Sequence, residues 1–306
     1  MSEGTEEPAR RGDAAGGVPA KQVIITADDF GLDEAVNEAV ERAFRDGVLT
    51  TASLMAGAPA AADAVARARR LPNLRVGLHV TLVDGCPVLP AREIPALIGS
   101  DGEFGTALFR QGVRFFFLPR VRRQLAAEIR AQFEAFRATG LALDHVNAHK
   151  HMHVHPTVLA LILDIGREYG VQSVRLPREP WSTALCLGQN IAGRLAWSAF
   201  LWPWLALLRR HLRRRCICHN DYLFGLAQSG AWDETMLLRL LRCLPDGVSE
   251  IYFHPATART AELVRRMPSY RHEEELDALL SPAVRALFDN PCYRRTSFSE
   301  LHLAVG

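Results

Sequence analysis

No run of about twenty apolar residues occurs anywhere in this 306-residue chain, which excludes a standard helical membrane span. The first twenty residues, Met1 to Ala20, also lack the apolar h-region of a secretory signal. They are polar and rich in Gly and Ala, and are expected to form a disordered tail. Strong charge of one sign is missing: 36 Lys and Arg against 34 Asp and Glu leave a net charge of +2, far from the basic bias of a nucleic-acid binder. The six cysteines (86, 186, 216, 218, 243 and 292) follow no disulfide framework. Cys216-Ile217-Cys218-His219 holds the one close pair and lacks the two-plus-two spacing of a structural zinc site. The thiols therefore read as reduced, and the protein as cytoplasmic. No repeat or linker divides residues 21–306, and 48% hydrophobic content supports one substantial core.

What the chain does have is histidine in one place. Five of its eleven histidines, His145, His149, His151, His153 and His155, fall in the stretch Asp144 to Pro156. The cluster follows an apolar run, Leu141 to Leu143, and precedes a helix-like segment, Thr157 to Tyr169. That is the C-terminal end of a strand, where α/β folds build their sites. Imidazole is the commonest metal ligand, and alternate residues at a strand end can be aimed into one pocket. Five rings cannot all bind one ion, so some must orient ligands or serve structure.

Three further strand ends carry similar chemistry. Val23 to Ala27 ends in Asp28 and Asp29, then Phe30-Gly31. An N-cap is the plain alternative, but two adjacent carboxylates cannot serve one cap. In different environments, one can hold a cation and the other move protons. Leu74 to Leu82 carries the lone His79, and Val248 to Phe253 ends in His254. Strands and helices alternate from Val23 onward, which calls for parallel pairing with right-handed crossovers. The expected fold is an open or barrelled α/β fold with its site at the C-terminal strand ends. A strand is expected over 171–176, with Arg175 near its end as a candidate to pair with Asp28. Two apolar insertions, near 107–120 and 180–215, interrupt the rhythm. Within the second, Leu195 to Leu208 carries three tryptophans and meets five arginines between 209 and 215, and Pro203 should kink or break any helix.

At this point the chain resembles a known family. Thr26-Ala-Asp-Asp-Phe-Gly31, Gly77-Leu-His79, His149-x-His-x-His-x-x-Pro156 and His254-Pro255 are similar, in order, to the signatures of YdjC-type carbohydrate deacetylases. The resemblance implies a distorted TIM-like β/α barrel and a divalent metal held by Asp29, His79 and His149, with Asp28 as base and His254 as acid. His151 and His153 would line the pocket or orient ligands. Asn147 departs from the pattern, since relatives often carry Asp there; Asp144 is expected to substitute in part.

Two imidazoles and one carboxylate suit Zn, Fe, Co or Ni better than Mg. Zinc is the expected ion, with the others as alternatives. The implied reaction removes an N-acetyl group from an amino sugar. The apolar, arginine-edged segment suits a lipid-linked sugar and peripheral contact with the inner face of a membrane. The chain looks like the hopanoid-associated branch of the family, whose substrate would be an N-acetylglucosaminyl hopanoid. A soluble chitooligosaccharide deacetylase, a metal-dependent phosphoesterase and a non-enzymatic metal binder are the competing readings. A homodimer is left open.

Overall fold

The computed structural model describes residues 21–187 and 191–305, so the expected tail, residues 1–20, lies outside the described residues. Seven strands are present among the described residues: β1 (Lys21–Phe30), β2 (Thr51–Leu54), β3 (Arg75–Val80), β4 (Leu143–Ala148), β5 (Tyr222–Phe224), β6 (Gly247–Phe253) and β7 (Tyr293–Arg295). They form one parallel sheet in the order β4-β3-β2-β1-β6-β5, with β7 pairing the first residues of β1. Burial explains the centre: β1 is buried from Val23 to Phe30, as its run of apolar residues requires when helices cover both faces.

The sheet curls until its edges approach one another. Between β4 and β5 lies the segment expected to be a strand over 171–176. It makes isolated bridges only, Val146 with Val174 and Ser173 with Cys218. Pro177 and Pro180 have no backbone N–H to give to a ladder, and the Leu176 N–H goes to the Asn220 side chain instead, at 2.7 Å. The expectation of a TIM-like barrel is thereby corrected to a curled, parallel half-barrel. Its strands still deliver their C-terminal ends to one mouth.

Two local outcomes matter for the site. The helix Glu34–Asp46 is capped by Asp33, whose carboxylate accepts the Ala35 N–H at 2.8 Å. Asp28 and Asp29 are thus free of capping duty. The stretch between β3 and β4, which holds the first apolar insertion, contains a helix, Leu108–Phe117, before the long helix Pro119–Ala138.

The second insertion runs as one helix, Ile191–Arg214, straight through Pro203, so the expected break does not form. Trp204 is tied inward, its indole N–H donating to the Val154 carbonyl at 3.0 Å, whereas Trp202 and Leu207 face out. Residues 188–190 of that insertion, and the side chains at 184–185 and 191–200, lie outside the described residues. Cys186 and Cys243 are paired in a disulfide, which overturns the reading of all six thiols as reduced. Cys86, Cys216, Cys218 and Cys292 remain free.

Candidate metal centre and active site

Neighbouring residues on a strand point to opposite faces, yet Asp28 and Asp29 both reach the same pocket. The reason is a left-handed backbone at Asp29, φ 60°, followed by Gly31 at φ 97°. Asp is one of the few side chains that tolerate this region, and Gly31 takes it without strain. A side chain at Gly31 would meet the Ala61 Cα at 3.2 Å. Asn37 completes the turn by accepting the Gly31 N–H at 2.8 Å. A second left-handed pair, Lys150 and His151, kinks the chain after β4 and presents His149 and His151 to the same mouth.

Asp29, His79 and His149 come together: one ligand atom from each lies within 4.8 Å of the others, and all three residues are buried. Asp29 Oδ1 is 3.3 Å from His79 Nε2 and 3.0 Å from His149 Nδ1. Neither contact has hydrogen-bond geometry, and both Asp29 oxygens are buried without a hydrogen-bond partner. A buried carboxylate with unsatisfied oxygens is costly. Oxygen and two imidazole nitrogens converging on one point is the donor set of a divalent transition metal. The residues fit such an ion.

Tautomer control adds to the fit. His79 Nδ1 meets Asn147 Oδ1 at 2.7 Å. An amide oxygen only accepts, so His79 Nδ1 carries the proton and Nε2 turns its lone pair toward Asp29. The Asn147 amide nitrogen, in turn, donates to Asp28 Oδ1 at 3.2 Å and Ser53 Oγ at 2.9 Å. Asp144 does not substitute for a carboxylate at 147. It pairs with His145 at 2.9 Å and accepts the Ser299 N–H at 2.9 Å. Three residues back on an alternating strand, it faces the other way and lies about 10 Å down the chain.

Asp28 is gripped by Arg175: Nη1 to Oδ2 at 2.5 Å and Nη2 to Oδ1 at 3.0 Å. Arg175 also donates to Glu250 Oε1, from Nε at 3.0 Å and Nη2 at 2.7 Å, and lies over the Tyr252 ring at 5.0 Å. Burial opposes the charge on Asp28, but Arg175 outweighs it and holds the carboxyl far below the ordinary range. For Asp29, burial is likewise outweighed, here by His149 and His79. The His79 ring, although buried, is raised by Asp28 and Asp29. Three formal negative charges, on Asp28, Asp29 and Glu250, face one positive charge on Arg175. The same imbalance that draws a proton to His79 would be met by a divalent cation.

Across the mouth, His254 Nε2 is 4.0 Å from Asp29 Oδ2, and its Nδ1 is buried without a partner. Burial, only partly offset by Asp29 and Asp28, lowers this ring to about 4. At neutral pH the resting His254 is therefore uncharged. Its backbone is clamped instead of its ring: the N–H donates to Glu275 Oε2 at 2.5 Å, and the carbonyl accepts from His272 Nδ1 at 2.6 Å.

The remaining cluster histidines split. His151 lines the pocket and meets the Tyr252 hydroxyl at 3.2 Å. His153 accepts the Ala148 N–H on Nδ1 at 3.1 Å, holding the kink, and burial beside Arg175 lowers it to about 3. Neither of these hydrogen bonds reaches Asp29, His79 or His149. The cavity lined by Asp28, His79, His149, His151, Tyr252 and His254 is about 250 Å³.

Glu250, Tyr252, Glu275 and His272 were not singled out from sequence. Glu250 and Tyr252 had a signal: both share the strand parity of His254, and an acid inside an apolar strand is unusual. Glu275 had none, because only tertiary packing brings its helix, His272–Leu280, to the end of β6.

A curled parallel α/β sheet gathers at its strand ends a buried Asp-His-His group that could hold a metal ion, beside an arginine-held carboxylate. The chain belongs to the YdjC-like protein family, whose profile matches residues 22–290. It is 37% identical over 161 residues to a carbohydrate deacetylase of Brevibacillus brevis, covering 52% of this chain and 60% of that one. Against the carbohydrate deacetylase of Vibrio vulnificus it is 40% identical over 150 residues, 49% of this chain and 57% of the relative. The human carbohydrate deacetylase is 37% identical over 166 residues, 53% and 50% of the two chains. The match thus spans little more than half the length of these relatives. An Enterococcus faecalis crystal structure, provisionally described as a cellobiose-phosphate cleavage protein, shares the fold at a TM-score of 0.70 and 24% identity, covering 92% of this chain and 98% of that one.

Proposed function

We propose that this chain hydrolyses the N-acetyl group of an amino sugar, with one divalent ion, zinc by preference, held by Asp29, His79 and His149. The observation that carries the reading is the pairing of two adjacent carboxylates with opposite duties. Asp29 is buried, hydrogen-bond deficient and faced by two imidazoles, while Asp28 is locked anionic by Arg175. When bound, the ion supplies Lewis-acid polarisation and lowers the pKa of water.

The chain's own groups do the rest. Asp28, an anion at any working pH, accepts the proton of the attacking water; Arg175 and Asn147 fix the direction of its oxygens. Such a strongly lowered carboxyl is a weak base, so its contribution depends on alignment more than on affinity for the proton. His254 delivers a proton to the departing amine. Because its resting ring is neutral, the proton it delivers is the one Asp28 took from the water, so that one water supplies the hydroxyl to the acetyl carbon and the proton to the amine. His151 and Tyr252 line the sugar's side of the pocket.

A phosphoesterase using a two-metal clamp is disfavoured, because among the described residues only the one ligand group is gathered. A passive metal binder would have no use for Arg175 and Asn147 around Asp28. The finer reading is a lipid-linked N-acetyl sugar, such as an N-acetylglucosaminyl hopanoid, met at a membrane surface. It is supported by the family resemblance and by the outward Trp202 and Leu207 on a helix ending in arginines. Among the described residues no helix is long and apolar enough to cross a membrane, so the contact would be peripheral. Mass spectrometry of acetyl loss across soluble and lipid-linked N-acetyl sugars, with p-nitrophenyl phosphate alongside, tests the reading. Acetate release with no phosphate release is expected; the reverse would overturn it.

A further inference from the structure

Helix Leu108–Phe117 is built the wrong way round for a helix that only packs. Its buried residues are Gln111 and Phe115, while Leu108, Phe109, Val113, Phe116 and Phe117 are all exposed, Phe109 at 87%. A contiguous apolar face of this kind marks an interaction surface. It forms one wall of a 490 Å³ groove whose other wall is the kinked segment Lys150–His155. That volume lies in the range of small-molecule sites. The groove runs into the 250 Å³ catalytic cavity, since Leu108, Lys150 and His151 line both.

The groove offers little to a polar ligand. Lys150 is paired with Asp84 at 3.5 Å, and His151 is turned to Tyr252. His155 lies edge-on to Phe115 and Phe116, ring centroids 6.2 and 6.1 Å apart. Val113, Phe116, Met152 and Val154 supply the rest of the walls. A second sugar seated there would leave most of its hydroxyls without partners, at the cost of unsatisfied polar groups. A hydrocarbon would not.

We infer that this groove seats an apolar aglycone attached to the sugar whose acetamide lies in the catalytic cavity, so that the chain selects amphiphilic glycosides by hydrocarbon length. The inference rests on the deacetylase reading and deepens it by assigning the residues that read the aglycone.

Methyl, butyl and octyl β-glycosides of N-acetylglucosamine, with N,N′-diacetylchitobiose as the polar comparison, test it on the metal-loaded full-length protein. The expected result is kcat/KM rising by roughly two- to fourfold per methylene buried, from the transfer energy of a CH₂ group, with diacetylchitobiose no better than the methyl glycoside. In Val113→Asp and Phe116→Ser, both at surface positions where folding should survive, that slope flattens toward zero whatever the absolute rate. Hydrolysis of the methyl glycoside with no dependence on chain length overturns the groove and leaves the deacetylase reading standing. Loss of acetate from none of the four compounds sinks the deacetylase reading itself. A flat slope combined with loss of binding to anionic lipid vesicles in Phe116→Ser would make the helix a membrane face and not an aglycone site.

Discussion

His79 and His254 both sit at the ends of parallel strands and both face Asp29, yet they are held in opposite ways. The ring of His79 is fixed by a side chain, Asn147, which decides its tautomer and points its free nitrogen at Asp29. The ring of His254 has no such partner; Glu275 and His272 hold only its backbone. The neighbouring carboxylates raise the first ring, while burial lowers the second to about 4. A ligand must not turn, whereas a proton carrier must be able to, and the raised His79 ring registers the negative field that a bound cation would offset. The difference in anchoring separates the two duties.

The comparison breaks most severely at the ligands. His79→Ala and His149→Ala should each abolish turnover, because too few donors remain to hold the ion; activity surviving in either would remove them from the ligand set. Asp28→Asn and His254→Ala come next. Each should lose on the order of 10²–10⁴ in kcat with the fold intact by circular dichroism. Wild-type turnover in either variant would strip that residue of its proton-transfer role.

A smaller change sharpens the contrast. Asn147→Ala frees the His79 tautomer and should weaken metal affinity roughly 10- to 100-fold, read by competition with a chelator. Asn147→Asp is not a simple repair here, because a carboxylate cannot donate to Asp28 and would repel it. If Asn147→Asp equals the parent in kcat, the bridge from His79 to Asp28 has no function.

The smallest effect is on stability. Burial raises the Glu275 carboxyl from 4.5 to about 8, against the pull of backbone N–H groups including that of His254. A carboxyl raised in the folded state binds its proton more tightly there than in the unfolded chain. The contribution of Glu275 to stability is therefore greatest below pH 4.5 and falls as pH rises toward about 8. Thermal melts of Glu275→Gln against the parent should show this loss removed in the variant; parallel curves would mean Glu275 is already ionised.

Much of this was legible in the sequence, for identifiable reasons. The strand ends carrying Asp28, Asp29, His79, His149 and His254 stood out because apolar runs stop abruptly at polar, metal-competent residues. Arg175 was legible as a partner for Asp28, although the strand expected to carry it is reduced to isolated bridges at Ser173 and Val174, ahead of Pro177. The closure of the sheet was not legible, since it depends on hydrogen bonds between segments far apart in sequence, such as Val174 with Cys218. The misplaced role for Asp144 came from counting distance along the chain and neglecting strand parity. Nor could spacing reveal that Asp29 adopts a left-handed backbone, the feature that lets two adjacent carboxylates share one pocket. The Cys186–Cys243 pair was invisible for the same reason: 57 residues separate them, and only the packing of the second insertion brings them together.

The central claim is that holding the ion and moving the proton are assigned to different residues of one adjacent pair of carboxylates. Metal-to-protein stoichiometry, measured on Asp28→Asn and Asp29→Asn purified alongside the parent protein, tests it most directly. The account predicts one equivalent of metal in the parent and in Asp28→Asn, and a clear loss in Asp29→Asn. Equal metal in the two variants, or its loss from Asp28→Asn alone, would contradict it.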